Sequence, residues 1–195
     1  MRIKLACLAI LSALSLGGCV ASLHAVAPET GGLFDPSVPG KWREVGENGD
    51  GTVYTVEKQP PDGYRITFPA QAKDLTVAYR AHVFRLGEAL FCDISFDEAL
   101  VNGVSVHADD LGVYAQHAFG RVWVQKDEIR LRSLDERWLN KALETKQVTL
   151  RFERGEGSGI DILLTGPAEE IRAFAQKYAD DKDVFSEENV FRRVK

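Results

Sequence analysis

Cysteine is scarce in this sequence, three residues in 195. So few thiols exclude a disulfide-built scaffold, and stability must come from a buried core. Positive charge is also short, with 24 Lys and Arg against 29 Asp and Glu. A net charge of −5 excludes the basic face that nucleic-acid phosphates demand. It argues equally against charge-driven adhesion to an anionic membrane surface. No apolar run reaches the roughly 20 residues that a bilayer-spanning helix needs. No internal repeat is visible. Nor is there a Gly-x-Ser-x-Gly, a His-Glu-x-x-His, a phosphate-binding glycine loop or a paired-cysteine metal motif. These absences favour a binding protein over an enzyme, and no cofactor is implied.

What is present begins at the amino terminus. Arg2 and Lys4 precede an apolar run, Leu5 to Leu11, that continues through Leu14 and Leu16. The run is too short to span and has the form of a targeting segment. Leu16-Gly17-Gly18-Cys19 resembles the lipobox of bacterial lipoproteins, an aliphatic residue and two small ones before a modified cysteine. The resemblance implies cleavage before Cys19, a diacylglyceryl group on its sulfur and, often, acylation (palmitate or a similar chain) of the new amino terminus. Each buried methylene contributes about 0.8 kcal/mol, so two or three chains make a lasting anchor. Val20 stands where an Asp would resemble an inner-membrane retention signal. In a Gram-negative cell the expected location is therefore the outer membrane, facing the periplasm. Cys7 then leaves with the signal and Cys19 carries lipid, which leaves Cys92. Its setting, Leu90-Phe91-Cys92-Asp93-Ile94, reads as a buried, inert thiol.

Removal of Arg2 and Lys4 leaves a mature chain of about 177 residues with a charge near −7, enough for one domain with a sizeable core. Residues 19–39 read as lipidated cysteine and flexible tether, because Pro28, Pro36, Pro39, Gly31 and Gly32 break any period. Such a tether would hold the domain roughly a few tens of Å off the bilayer. A single β-rich domain is expected over 40–195, mostly with a period of two. Strands are expected at 41–47, 52–58, 64–68, 75–86, 90–96, 121–125, 128–132, 148–153 and 160–164. Turns rich in Gly, Asn, Asp and Pro separate several of them. Two helices interrupt. Ser133-Leu134-Asp135-Glu136 fits a capping box before an apolar face of Leu134, Trp138 and Ala142. Gly166-Pro167 opens a second helix with Ile171, Phe174, Ala175 and Tyr178 on one stripe. The charged tail from Asp180 carries Phe185 and Phe191 and is expected to dock. The class is mainly β, an antiparallel barrel or sandwich of about eight or nine strands with two helices, one C-terminal.

Gly40-Lys41-Trp42 resembles the Gly-x-Trp element that opens lipocalins. The likeness implies an eight-stranded barrel with Trp42 closing one end beneath a ligand cavity. The later Thr-Asp-Tyr element of that family has no counterpart here. A longer likeness covers Phe84 to Asp93, His117 to Val122 and Leu134 to Leu139. It is to uncharacterised bacterial lipoproteins of similar size, which offer no activity to carry over.

The candidate ligand-binding residues are Trp42, His117, Arg121 and Trp123. His117, Phe119, Arg121 and Trp123 alternate on one side of a strand, with Val122 and Val124 on the other. In a hollow barrel the Arg121 side can face the lumen and hold an amphipathic anion such as a fatty acid. In a filled barrel the valine side faces the core, and His117 caps its strand. His117 together with Asp93 raises the minor alternative of a hydrolase. His107, Asp109, Asp110 and His117 contain metal-ligating atoms, but not at the spacing of a helical zinc pair. The expected function is therefore uptake of a small apolar or amphipathic molecule without catalysis. The rival is an envelope module that docks a protein partner with a filled barrel.

Overall fold

Alternating side chains pull the middle of the chain into long antiparallel strands, and these close on themselves. The structure is a computed structural model that describes residues 20–46, 51–70, 74–107, 109–111, 116–155 and 161–195. The expected leader and Cys19 lie outside the described residues, as do most of the Gly46–Gly51 turn and of the Gly155–Gly159 loop. Among the described residues no helix is long and apolar enough to cross a membrane.

The strands are β1 (Val20–Ser22), β2 (Gly40–Glu44), β3 (Val53–Gln59), β4 (Gly63–Pro69), β5 (Leu75–Leu86), β6 (Ala89–Val101), β7 (Val104–His107), β8 (His117–Gln125), β9 (Glu128–Ser133), β10 (Phe152–Arg154), β11 (Ile162–Leu164) and β12 (Glu187–Arg193). Helix α1 is Glu136–Glu144 and α2 is Ala168–Lys177. Eight strands close a barrel in the order β2-β3-β4-β5-β6-β8-β9-β12, with β12 paired back to β2. Every neighbouring pair in that ring is antiparallel. The mainly β, lipocalin-like architecture expected of the sequence is what the chain adopts.

β8 has two allegiances along one edge. Its second half pairs with β9, while His117 at its start pairs with Ser22 of β1. From there β1, β11 and β10 form a small wing outside the barrel. Gly120 stands at the crossover, where a Cβ would sit 2.3 Å from the Arg132 carbonyl oxygen. No larger residue fits that approach.

The barrel divides two cores. Inside lie Trp42, Val56, Tyr64, Ala81, Cys92 and Val122, with Leu75, Val77, Tyr79 and Phe96 continuing toward one end. Outside, Phe84, Phe91 and Phe119 project from the other face of β5, β6 and β8. The wing, both helices and the buried Val184 and Phe185 cover them. The expected capping box headed by Ser133 is not formed: Ser133 ends β9, and the Asp135 carboxylate caps α1 by accepting from the Trp138 amide at 2.7 Å.

Three expectations need correction. Residues 20–39 are not a tether. Val20, Ala21, Ser22, Val26 and Val38 are buried, and the segment is strapped over the barrel by amides of Leu33, Val26 and Ala27 that donate to Val83 of β5 and Asp93 of β6. Its prolines break the period without freeing the chain. The tail does more than dock, because Glu187–Arg193 is the strand that closes the barrel. The expected strand 148–153 shrinks to Phe152–Arg154, since Val148 and Leu150 are buried in the outer core rather than paired.

The barrel lumen as the candidate binding site

Period two on β2 and β3 turns Trp42, Tyr54 and Val56 into the lumen. The same rule places Tyr64 and Ile66 on β4, Ile129 and Leu131 on β9, and Phe191 on β12 there. Together they surround a cavity of about 130 Å³ whose exposed surface is entirely apolar. Cys92 lines it too. Burial pushes that thiol well above its ordinary value, with the neighbouring Asp93 charge acting in the same direction.

Trp42 seals one end. Its indole Nε1 donates to the Val38 carbonyl at 2.8 Å, and the Arg193 guanidinium lies 4.2 Å from its ring centre. Phe34 stacks on Tyr64 at 5.3 Å, and the Tyr64 hydroxyl accepts from the Asp35 amide at 2.7 Å. The strap therefore forms the floor. On the other side of the lumen, starting beside Trp42, five rings run across the barrel in edge-to-face, tilted and stacked contacts. Phe191 meets Tyr54 at 5.5 Å, Tyr54 meets Phe68 at 4.9 Å, Phe68 meets Tyr79 at 5.9 Å and Tyr79 meets Phe96 at 6.1 Å. Burial, then the adjacent Glu44 charge, raise the Tyr54 hydroxyl far above its usual range. It stays protonated and donates to Glu44 Oε2 at 3.2 Å.

Of the four candidate binding residues, Trp42 alone faces the lumen. The valine side of β8 turns inward, with Val122 and Val124 on the cavity wall. Arg121 and Trp123 therefore point out of the barrel, and the fatty-acid arrangement expected of them is corrected. Arg121 has no need of a ligand carboxylate. Its Nε donates to the Ala179 carbonyl at 2.9 Å and its Nη2 to Asp180 Oδ1 at 3.0 Å, just beyond the end of α2. There a cation also meets the negative pole of the helix. Its guanidinium stacks 4.8 Å from the Trp123 ring centre, with Arg132 at 5.4 Å from the same ring.

His117 lies outside the barrel as well. Its Nδ1 donates to Asp93 Oδ1 at 2.8 Å, while Asp93 Oδ2 accepts from the Val26 and Ala27 amides at 2.5 and 2.8 Å. Asp93 is 3% exposed, and its lone pairs are spent on holding the strap. His107 belongs to a separate network with Asp97, Ser105 and Asp110, so the two histidines are not brought into one cluster.

Glu44 and Tyr54 were absent from the residues singled out in the sequence. The signal was there: once Trp42 is placed inward, period two puts Glu44 inward as well, and a neighbouring strand must set a residue opposite Trp42. That residue is Tyr54. Comparison of the chain with protein-family models, curated proteins and solved structures finds no match.

Proposed function

We propose that this chain is a lipid-anchored cell-envelope protein whose barrel takes up one small apolar molecule, without catalysis. In a Gram-negative cell it faces the periplasm from the outer membrane, and its membrane partner is the bilayer that holds the Cys19 lipid. The observation that carries the reading is the lumen itself, about 130 Å³ of apolar space between the Trp42 floor and the aromatic layer. An apolar cavity of roughly 150 Å³ stays dry and takes benzene or xenon, whereas pockets for drug-sized ligands start near ~300 Å³. The occupant is accordingly the size of one ring or a short alkyl segment, not a whole fatty acid. A wholly apolar wall offers such a molecule dispersion contacts that water cannot match. The cavity also weighs against the rival reading, in which a filled barrel serves only to display a docking face.

The test is a titration of the protein in phospholipid nanodiscs with toluene, read on the methyl resonances of Val56, Val122 and Ile129. Saturable shifts confined to lumen methyls support uptake, and Ala81→Leu, which fills the cavity, should abolish them. Lumen methyls that do not move in the wild type overturn the reading and favour the docking module.

A further inference from the structure

The aromatic end of the lumen carries a polar element that the wall lacks. Glu44 follows Trp42 by two residues on β2, so both side chains share the inward face. In the register of β2 with β12, Glu44 lies opposite Phe191, and in that of β2 with β3, Trp42 lies opposite Tyr54. Phe191 and Tyr54 both line the cavity and meet edge to face. The Glu44 carboxylate therefore stands beside the two rings that close the lumen.

The Tyr54 hydroxyl has one proton, and it goes to Glu44 Oε2. The Thr52 hydroxyl bonds the phenolic oxygen, so the acceptor capacity that remains at this end is that of the Glu44 carboxylate. No cationic side chain lies on the cavity wall among the described residues. Two cations near the lumen, Arg193 (diagonal to Glu44 across β12 and β2) and Lys58, are committed to other partners. Arg193 stacks on Trp42 and donates to the Pro39 carbonyl at 3.2 Å. Lys58 sits 4.6 Å above the Phe34 ring. A carboxylate headgroup entering past Tyr54 would meet like charge, and no cation among the described residues of the cavity wall would pair it. An ammonium or other N–H donor would meet a carboxylate acceptor and its negative charge.

We propose that the Tyr54–Glu44 pair makes the lumen selective for small apolar molecules bearing an amine or another hydrogen-bond donor, with the apolar body among the rings and the donor on Glu44. This rests on the lumen being a binding site at all. Glu44 is then the specificity-determining residue, and the cavity wall supplies affinity without sign.

Three probes of one size separate the two ideas: toluene, benzylamine and benzoate. Each is titrated into wild type and Glu44→Gln in nanodiscs, with lumen methyl shifts as the readout. Benzylamine should bind more tightly than benzoate to the wild type. Glu44→Gln should weaken benzylamine roughly tenfold, the scale of one charge-assisted hydrogen bond. It should leave toluene unchanged, which also shows that the variant is folded. Tyr54→Phe keeps the ring and removes the hydroxyl that orients Glu44, so it should weaken benzylamine more than toluene. If toluene binds but benzoate matches benzylamine, or Glu44→Gln changes neither, the selectivity proposal is overturned and lumen uptake stands. If none of the three binds, both fall.

Discussion

Arg193 and Trp42 join the last described strand to the first strand of the barrel. The guanidinium lies 4.2 Å from the indole centre, and the two residues face each other in the β12–β2 register. Arg193 also donates to the Ser37 and Pro39 carbonyls of the strap. One side chain thus ties closure of the barrel to closure of its floor. A partly buried cation over a Trp face contributes ~1–2 kcal/mol, and loss of its hydrogen bonds to the strap adds to that. Arg193→Ala should destabilise the protein by about 2 kcal/mol or more in denaturant titration, with Arg193→Lys recovering only part. Trp42→Ala should cost roughly 3–5 kcal/mol, as removal of a fully buried large ring does. A loss below ~1 kcal/mol for Trp42→Ala would deny it a place in a packed core.

Asp93 should behave as a clamp on the strap. Asp93→Ala leaves the Val26 and Ala27 amides without their acceptor, and a buried donor stranded in this way costs ~1–3 kcal/mol. Hydrogen exchange at those two amides should accelerate well beyond the change seen in the barrel strands. Equal acceleration everywhere would mean that Asp93 contributes to general stability rather than to the strap.

The barrel was legible because its strands alternate. Val122 and Val124 of β8 and Ile129 and Leu131 of β9 alternate onto the cavity wall, and Gly87 and Asp127 stand in the turns that follow β5 and β8. β12 was not legible, because Glu187-Glu188-Asn189-Val190-Phe191-Arg192-Arg193 reads as a charged tail. Only Phe191 faces the cavity at its centre, and Arg193 is made compatible with an inward position by the Trp42 face. Residues 20–39 misled for the opposite reason. Their prolines and glycines suit a tether, while the contacts that fix them come from Asp93, Tyr64 and Arg193, far away in sequence. The Arg121 side of β8 was ambiguous in principle, since either face of that strand meets an apolar core. The valines go inside because the outer face alone offers the carbonyls of Leu90 and Ala179 to the guanidinium.

Asp135 gives one pH dependence with a definite sign. Burial raises its carboxyl, but hydrogen bonds from Ser186 and from the amides of Trp138 and Arg137 outweigh that and hold it below its ordinary 3.8. A carboxyl lowered by folding adds stability above its unfolded value, and that stability is lost as pH falls through the folded value. The protein should therefore lose stability below about pH 4, less so in Asp135→Asn, which keeps a capping oxygen but cannot titrate. Thermal unfolding from pH 5 to pH 2.5 checks this. Parallel curves for the two proteins would exclude Asp135 from the acid response.

Cys92 should report on the lumen from within. Its thiol is buried and held protonated far above its usual range, so a charged disulfide reagent should label it only when the barrel opens. A small neutral methanethiosulfonate fits the cavity dimensions and should still depend on the rare thiolate, giving slow labelling at neutral pH. Saturating toluene should slow it further by occupying the same space. Toluene without effect on the rate would place the probe somewhere other than beside Cys92.

A lipid on Cys19 would have a geometric consequence that a flexible tether would not. If Cys19 carries lipid, the next residue already belongs to β1, where Val20, Ala21 and Ser22 pair in parallel with Ile162, Leu163 and Leu164 and are buried. Consecutive Cα atoms are about 3.8 Å apart, so the wing would stand against the headgroups with no slack. Cys19→Ala should yield unlipidated precursor by mass spectrometry, and a free, unmodified Cys19 in the mature wild type would refute the anchor outright. With lipid confirmed, neutron reflectometry of the protein on a supported bilayer should show protein density beginning at the headgroup layer. Insertion of ten Gly and Ser residues between Cys19 and Val20 gives a coil with a root-mean-square span of roughly 15–20 Å. The density should then move outward and broaden, while the barrel keeps its stability. A water gap already present in the wild type would mean that β1 detaches near the bilayer, and that the strap over the barrel begins at the Asp93 clamp rather than at Val20.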